Sequence, residues 1–341
     1  MSHTGAHSQA TKGRKVRVAV VGCGAIGGWL AARLAANGVE VSVLARGATL
    51  ARLQQQGLSL EEGGRLQTFR PAASDEPAQL GLHELVVLAV KGHHLAGAAP
   101  VAAALLAPGG KVLTAMNGVP WWFFADRALQ SVDPGGTVRT LIPSERVLGA
   151  VVHASCQTPA PGHIRHVMGQ GWLIGDTAQP GSASEAAVVA LLCAAGFDAK
   201  AEPDIRAAIW YKLWGNATTN PISALCGVTT DRILDDPLVC ATTDACMHEL
   251  ATIGARIGCP IPHSPADRHA ITRKLGAFKT SMLQDREAGR PLELDALLAA
   301  PREIGAQVGV ATPMLDALHG LTRLATMSTA PKPTPAAQSR G

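Results

Sequence analysis

The sequence predicts an α/β chain in two parts, an alternating strand–helix region followed by one that is helical throughout. Three observations predict it. Short apolar runs alternate with Ala-rich helical stretches from Val16 onward. A glycine-rich turn joins the first run to the first helix. After Glu202-Pro203-Asp204 the strand pattern stops and only helical periodicity remains. Alternation of this kind marks a mostly parallel sheet covered by helices.

The elements follow in order. Residues 1–15 are small, polar and basic, and read as a disordered tail. Val16–Val21 is a strand, Ala25–Asn37 a helix stopped by Gly38, and Val39–Leu44 a second strand. Lys12-Gly13-Arg14-Lys15 ahead of an apolar run that reaches Cys23 mimics an export signal. Too few apolar residues precede Cys23 for that, and strand–turn–helix accounts for every residue. Glu84–Val90 and Lys111–Ala115 are further strands, separated by a helix near Leu95–Leu106. From Arg146 the texture changes: Val147–Gln157, Gly162–Met168 and Trp172–Gly175 read as antiparallel strands, with a turn at Pro159-Ala160-Pro161-Gly162. A helix over Ser184–Ala195 and a strand over Phe197–Ala201 close the first domain, residues 16–203. The helical domain, 204–327, has expected breaks at Pro221, Pro260–Pro265, Pro291 and Pro301, and the Pro-rich end, 328–341, reads as a second disordered tail.

Composition narrows the class. A chain of 341 residues with 47% apolar content holds two domains and a real core, not a disordered ensemble. Net charge of +4, with scattered basic residues, leaves no nucleic-acid footprint. No apolar run reaches membrane-spanning length. Cys23, Cys156, Cys193, Cys226, Cys240, Cys246 and Cys259 form no CxxC pair and are odd in number. That fits free thiols in a reducing cytoplasm better than a disulfide framework.

Gly22-Cys23-Gly24-Ala25-Ile26-Gly27 is a G-x-G-x-x-G between a strand and a helix. The first glycine permits the tight turn, the second lets a pyrophosphate reach the backbone, and the third allows close helix–strand packing. Phosphate then sits at the positive end of the helix. The same triplet also serves as a purely structural turn, but in this setting it predicts a Rossmann-type dinucleotide-binding domain. The second strand ends at Arg46, where NAD-preferring sites place an acid for the ribose hydroxyls. Arg46 is either an ordinary exposed strand-end residue or a cationic fork for a 2′-phosphate; its spacing from Gly22 favours NADP(H).

Between Arg206 and Asp231 the chain carries one formal charge, Lys212, within the apolar run Ala207-Ala208-Ile209-Trp210-Tyr211-Lys212-Leu213-Trp214. Asn216 and Asn220 follow at four-residue steps and share its helix face with Ile205 and Ile209. A lone lysine beside a tryptophan is more often a snorkelling surface residue, but this one lies on the apolar stripe, where an ammonium is costly without polar company. Burial there lowers its pKa toward the range useful for proton donation. A second constellation runs from Lys279 through Ser281-Met282-Leu283-Gln284-Asp285 to Glu293, with Pro291 expected in the first turn of a new helix. An acid in a first turn also simply complements the helix dipole. Asn117-Gly118 follows a strand end, where open α/β sheets bind ligands, though a turn Asn before Gly is ordinary.

The joint order of these features resembles the ketopantoate reductases (2-dehydropantoate 2-reductases) over about residues 16–325. The most specific motif is K-L-x-x-N-x-x-x-N-P, standing as Lys212-Leu213 through Asn216 to Asn220-Pro221, and the second is S-M-x-Q-D followed by an acid, Ser281 to Asp285 and then Glu293. Lys91 and Asn117 stand where the family has a lysine and an Asn-Gly turn. The resemblance implies a helical domain like the C-terminal domain of 6-phosphogluconate dehydrogenase and NADPH-dependent reduction of 2-dehydropantoate in pantothenate biosynthesis. It implies Lys212 as general acid, with Glu293 orienting substrate or cofactor. Asn216, Asn220 and Ser281 would hold substrate, Lys91 and Asn117 would close the site beside the nicotinamide, and Ser155 would touch the cofactor. The implied partner is a small 2-oxo acid; a homodimer is left open. His94 stands where the family often has Gln, and Trp121-Trp122 follow Asn117-Gly118 where some members are glycine-rich, so acid-binding loops are expected to differ. His163 and His166 are read as surface residues, not metal ligands, since no third ligand is near. Rival readings are a reductase of another 2-oxo acid, a β-hydroxyacid dehydrogenase, which shares K-x-x-x-N, and a catalytically silent NADP(H)-bound sensor or scaffold.

Overall fold

The computed structural model describes residues 16–328; the two expected tails lie outside them except for Ser328, which closes the last helix. Ten strands form one sheet: β1 (Arg17–Val21), β2 (Glu40–Leu44), β3 (Leu58–Glu62), β4 (Arg65–Phe69), β5 (Ala72–Ser74), β6 (His83–Leu88), β7 (Leu106–Thr114), β8 (Val147–Ala160), β9 (His163–Asp176) and β10 (Asp198–Ala201). Their order is β4-β3-β9-β8-β7-β6-β1-β2-β5, with β10 paired to β9. Helices α1 (Ala25–Ala36), α2 (Gly47–Gln56), α3 (Pro77–Leu80), α4 (Leu95–Leu105), α5 (Thr137–Leu141) and α6 (Ala183–Ala194) lie between the strands. The helical region holds α7 (Ile205–Cys226), α8 (Thr230–Asp235), α9 (Pro237–Arg256), α10 (Pro265–Arg273), α11 (Ser281–Glu287), α12 (Ala300–Gln307) and α13 (Pro313–Ser328). None of the described helices is long and apolar enough to cross a membrane.

Strand β1 shows why the sheet is covered on both sides. Val18 and Val20 are buried against Trp29, Leu30 and Leu192, whereas Ala19 and Val21 belong to the core that contains Trp210, Trp214 and Leu250. Successive side chains of a strand face opposite ways, so a run such as Val18-Ala19-Val20-Val21 feeds two cores. One core lies under α1 and α6, and the other is shared with the helical region. Strand β1 pairs in parallel with β2 on one side and β6 on the other. The chain thus departs from β1 in opposite directions, and the crevice beyond the carboxyl ends of β1 and β6 is the switch point where such sheets bind ligands.

The structure differs from the sequence reading in four places. Gly162–Met168 and Trp172–Gly175 are one strand, β9, antiparallel to β8. Gly169, at φ +74°, lies where the β8–β9 register shifts, and such a glycine marks a bulge within a strand, not its end. Pro221 does not break α7, which runs on to Cys226 and ends at Gly227 in the left-handed conformation. The proline removes one backbone bond at about 3 kcal/mol, which the burial of Pro221, Ile222 and Ala224 offsets. Pro301 does not break its helix either: a π-helical turn, Asp295–Ala299, runs straight into α12 and widens the register just ahead of the ring. Pro291 is not in a first turn; helical structure begins at Leu294, so Glu293 stands immediately before it. Beyond these four, elements α2, β3, β4, β5, α3 and α5 were not foreseen.

The two regions meet closely at Gly118. Its φ is +80°, Val119 N donates to Ala296 O (2.9 Å), and a Cβ at Gly118 would lie 2.6 Å from both Ala296 Cβ and Ala296 O. Only glycine meets both demands. Gly118→Ala is therefore expected to cost about 1–3 kcal/mol, read as a lowered melting temperature. An unchanged melting temperature would show that the Asn117–Gly118 turn and the π-helical turn are not locked together.

Candidate active site

The glycine turn is built as its spacing requires. Gly22 has φ +100° and lies against Ala89 and Val90, where a Cβ would approach Ala89 O to 2.8 Å. A Cβ at Gly24 would meet nothing within 4 Å, leaving the backbone open to a ligand at the start of α1. Gly27 packs directly on Gly22 O, which holds helix against strand. Ala25 and Ile26 form the first turn of α1, whose free amides favour an anion. Cys23 is buried, and burial pushes its thiol up to about 12, so it is an inert packing group. A cleft of about 1300 Å³ opens over this turn and is lined by Gly24, Arg46, Lys91, His94, Gln157 and Ser281, among others. These residues come from the carboxyl ends of the strands, from β8 and from α11. A volume of this size, glycine backbone beneath it and exposed Arg46 at its edge fit a dinucleotide.

At the other end of the site, α7 presents Lys212. The helix is capped by Asp204, whose carboxylate accepts from Ala207 N (3.0 Å). It is anchored by Trp210 and Trp214, whose Nε1 atoms donate to Leu250 O (3.1 Å) and Met247 O (2.8 Å) on α9. Lys212 Nζ donates to Asn117 Oδ1 (2.9 Å), after β7, and to Val152 O (2.8 Å), on β8. An ammonium has three hydrogens, so one remains for an incoming acceptor. Met116, Asn117, Val151, Ile209, Lys212 and Asn216 line the small pocket around it. Desolvation lowers the Lys212 pKa from 10.5 to about 8; Glu293 opposes the shift and Arg268 adds to it. The amine is thus mostly protonated at neutral pH and can still release its proton.

Glu293 ties the two ends together. Its Oε1 accepts from Gly92 N (3.1 Å) and its Oε2 lies 3.3 Å from Lys91 Nζ, with the side chain only 9% exposed. Lys91 also pairs with Asp285, which in turn accepts from Arg290 Nε (2.9 Å). Asp285 ends the S-M-x-Q-D run and is not among the expected site residues. It is buried on α11 beneath the cleft and neutralises Lys91, and the buried acid of the S-M-x-Q-D run was the available signal. Asn220 is buried and Asn216 half-buried on the Lys212 face, and neither carboxamide bonds to another described residue. Ser281 opens α11 and faces the large cleft, not the Lys212 pocket. Ser155 lines neither cavity; its neighbours Cys156 and Gln157 face the cleft instead, because the β8–β9 register shifts on both sides of Ser155.

The anticipated departures resolve differently. Trp121 and Trp122 are core residues, donating to Ile142 O (3.2 Å) and Thr114 Oγ1 (3.2 Å), so their bulk does not reshape an acid-binding loop. His94 does line the cleft, edge-on to His93. His166 is half-buried: it stacks on Trp29 with ring centroids 4.9 Å apart and pairs with Glu62 (2.9 Å). Away from the site, Cys240 and Asp244 on α9 and His269 on α10 hold donor atoms within 4.8 Å of one another, a grouping that sequence spacing did not reveal. Asp244 and His269 are already bonded to each other at 2.6 Å.

The chain is similar to known proteins over most of its length. Residues 18–179 match the family model of ketopantoate reductase PanE/ApbA, and residues 204–326 match the model of its C-terminal domain. The chain is 40% identical over 316 residues to the 2-dehydropantoate 2-reductase of Mesorhizobium japonicum, covering 90% of this chain and 97% of that one. A crystallised ketopantoate reductase candidate from Ralstonia solanacearum superimposes with a TM-score of 0.90 at 50% identity, over 93% of this chain and 99% of that one. D-mandelate dehydrogenase, solved with NADH and anilino(oxo)acetate, shares the fold at a TM-score of 0.80 and 20% identity, over 92% of this chain and 99% of that one.

The charge balance around Lys212 is open to direct titration. The Lys212 amine is expected to titrate near 8, followed by NMR of the reductively methylated protein. Glu293→Gln removes a charge that favours the ammonium, so the Lys212 pKa must fall further. A rise, or no change, would mean that Glu293 does not act on Lys212.

Proposed function

The chain belongs to the ketopantoate reductase family, and on that premise we propose that it reduces 2-dehydropantoate to pantoate with NADPH, a step of pantothenate and coenzyme A biosynthesis. The observation that carries the reading is the Lys212 ammonium, held by Asn117 Oδ1 and Val152 O with one hydrogen to spare. When bound, the dinucleotide supplies the hydride. Backbone amides of Gly22, Cys23, Gly24, Ala25, Ile26 and Gly27 would hold its pyrophosphate, and Arg46 its 2′-phosphate. Asn117, Ser155 and Glu293 are the further cofactor contacts proposed, Ser155 with the least support because it lines neither cavity.

Reduction builds negative charge on the substrate's carbonyl oxygen, and a positioned acid must neutralise it. Lys212 fits that task. Its two fixed bonds aim the third N–H, and its lowered pKa lets the proton pass to an alkoxide while a supply of ammonium remains at neutral pH. Asn216 and Asn220 offer donors and acceptors without adding competing charge, which suits a substrate hydroxyl. Ser281 and Lys91 would complete the substrate contacts from the cleft side. Glu293 keeps Lys91 in place and favours the charged form of Lys212.

Two outcomes test this reading. Lys212→Ala is expected to lower turnover of 2-dehydropantoate by about 10²–10⁴ while NADPH still binds, because the glycine turn and Arg46 lie on other elements. A folded, NADPH-binding Lys212→Ala protein with near-normal turnover would remove the proposed proton donor. Arg46→Ala is expected to raise the KM for NADPH by about tenfold or more, through loss of a charge-assisted contact, and to leave NADH nearly untouched. Equal effects on both cofactors would contradict the 2′-phosphate assignment.

A further inference from the structure

Helix α10 sends one cation toward Lys212 that no motif singled out. Its first turn is fixed by a capping box: Ser264 Oγ accepts from Asp267 N (3.2 Å), and Asp267 Oδ2 accepts from Ser264 N (2.9 Å). The cap engages the adjacent acid, Asp267, and leaves Arg268 to reach across to α7. Arg268 lies against the backbone of Gly215, where a Cβ would come within 2.5 Å of Nη2 and 2.6 Å of Nε. Its Cζ is 5.5 Å from the centroid of the Tyr211 ring. Tyr211 and Gly215 are one turn apart and flank the Lys212–Asn216 face. Glycine at 215 is what gives the guanidinium its place.

The charge of Arg268 is felt on two elements. After burial, it contributes to the lowered pKa of Lys212 on α7, and after burial and Lys212, to that of His153 on β8. The guanidinium thus lies against the Tyr211–Gly215 side of α7, next to the helix face that carries Lys212, and its charge reaches side chains on both α7 and β8. Its Nε is shut away from solvent, and among the described residues no group accepts a hydrogen bond from the side chain. Arg139, by contrast, rests on the carbonyls of Phe124 and Arg127, and Arg146 on those of Gly110 and Ala107. A second cation beside a desolvated ammonium, with no anion of its own, is an unfavourable arrangement that an incoming anion relieves.

We propose that Arg268 is a specificity-determining residue of this site, its guanidinium binding the carboxylate of the 2-oxo acid whose carbonyl oxygen meets Lys212. In a 2-oxo acid the carboxylate is bonded to the carbonyl carbon, so the two groups need adjacent donors. Arginine's planar fork matches a carboxylate in two parallel bonds, whereas a lysine offers only a point charge. The inference rests on the reading of the Lys212 pocket as the site of 2-oxo acid reduction.

The test compares Arg268→Met and Arg268→Lys with the unaltered enzyme on 2-dehydropantoate and on its uncharged lactone, with melting temperature and NADPH affinity measured alongside. For Arg268→Met the KM for the acid should rise by about 10- to 100-fold, with little change for the lactone and partial recovery in Arg268→Lys. The alkaline limb of the rate should also move to higher pH in Arg268→Met, because removing a neighbouring cation favours the ammonium while Glu293, which acts on Lys212, and His153, on which Lys212 acts, remain. Equal losses on acid and lactone, or an unchanged KM for the acid, would overturn the inference and leave the parent reading standing. An unaltered enzyme that reduces no 2-oxo acid would overturn both.

Discussion

Lys212 Nζ donates to a side chain that follows β7 and to a carbonyl on β8, while its own backbone belongs to α7. Three elements far apart in sequence must arrive at one point within hydrogen-bond distance, and much of the structure serves that convergence. Trp210 and Trp214 fix α7 against α9 by packing and by one N–H bond each. The Asn117 carboxamide is held from the other side, because Gly118 is pressed against Ala296 and has no side chain to keep it away. The ammonium is costly to bury, and the two acceptors recover only part of the hydration it has lost. The lowered pKa is the visible form of that cost.

A second balance surrounds the first. Lys91, Asp285, Glu293 and Arg290 form an alternating chain of charges that joins the loop after β6 to α11 and to the segment before the π-helical turn. Buried pairs of this kind contribute little net stability, since desolvation offsets attraction. Their effect here is positional. Glu293 is held by Gly92 and Lys91 on one side and acts on Lys212 on the other. The dinucleotide cleft and the lysine pocket are therefore coupled through one carboxylate and not merely adjacent.

Much of this was legible in the sequence where one residue type is forced by one physical demand. The glycine turn could be read because tight turning, open backbone and close packing each exclude a side chain. Lys212 could be read because a lone charge in an apolar helix is expensive. Legibility failed where the demand is tertiary. Strand β4 is almost wholly exposed at the sheet edge and carries polar residues, so it shows no apolar period. Gly169 falls in the gap between two expected strands and lies instead at a bulge within one, where the register beside Ser155 also shifts. Pro221 and Pro301 are helix breakers by local rule, yet burial carries α7 through one and a π-helical turn accommodates the other. Arg268 gave no local signal, because its importance lies in Gly215, 53 positions earlier in the chain.

The central claim is that a desolvated lysine delivers the proton, and the pH dependence of kcat/KM for 2-dehydropantoate at saturating NADPH tests it most directly. The account predicts a rate that is flat through neutrality and falls tenfold per pH unit once the ammonium is lost, with an apparent pKa near 8. A rate that holds level up to the range of an ordinary lysine, about 10.4, would contradict it.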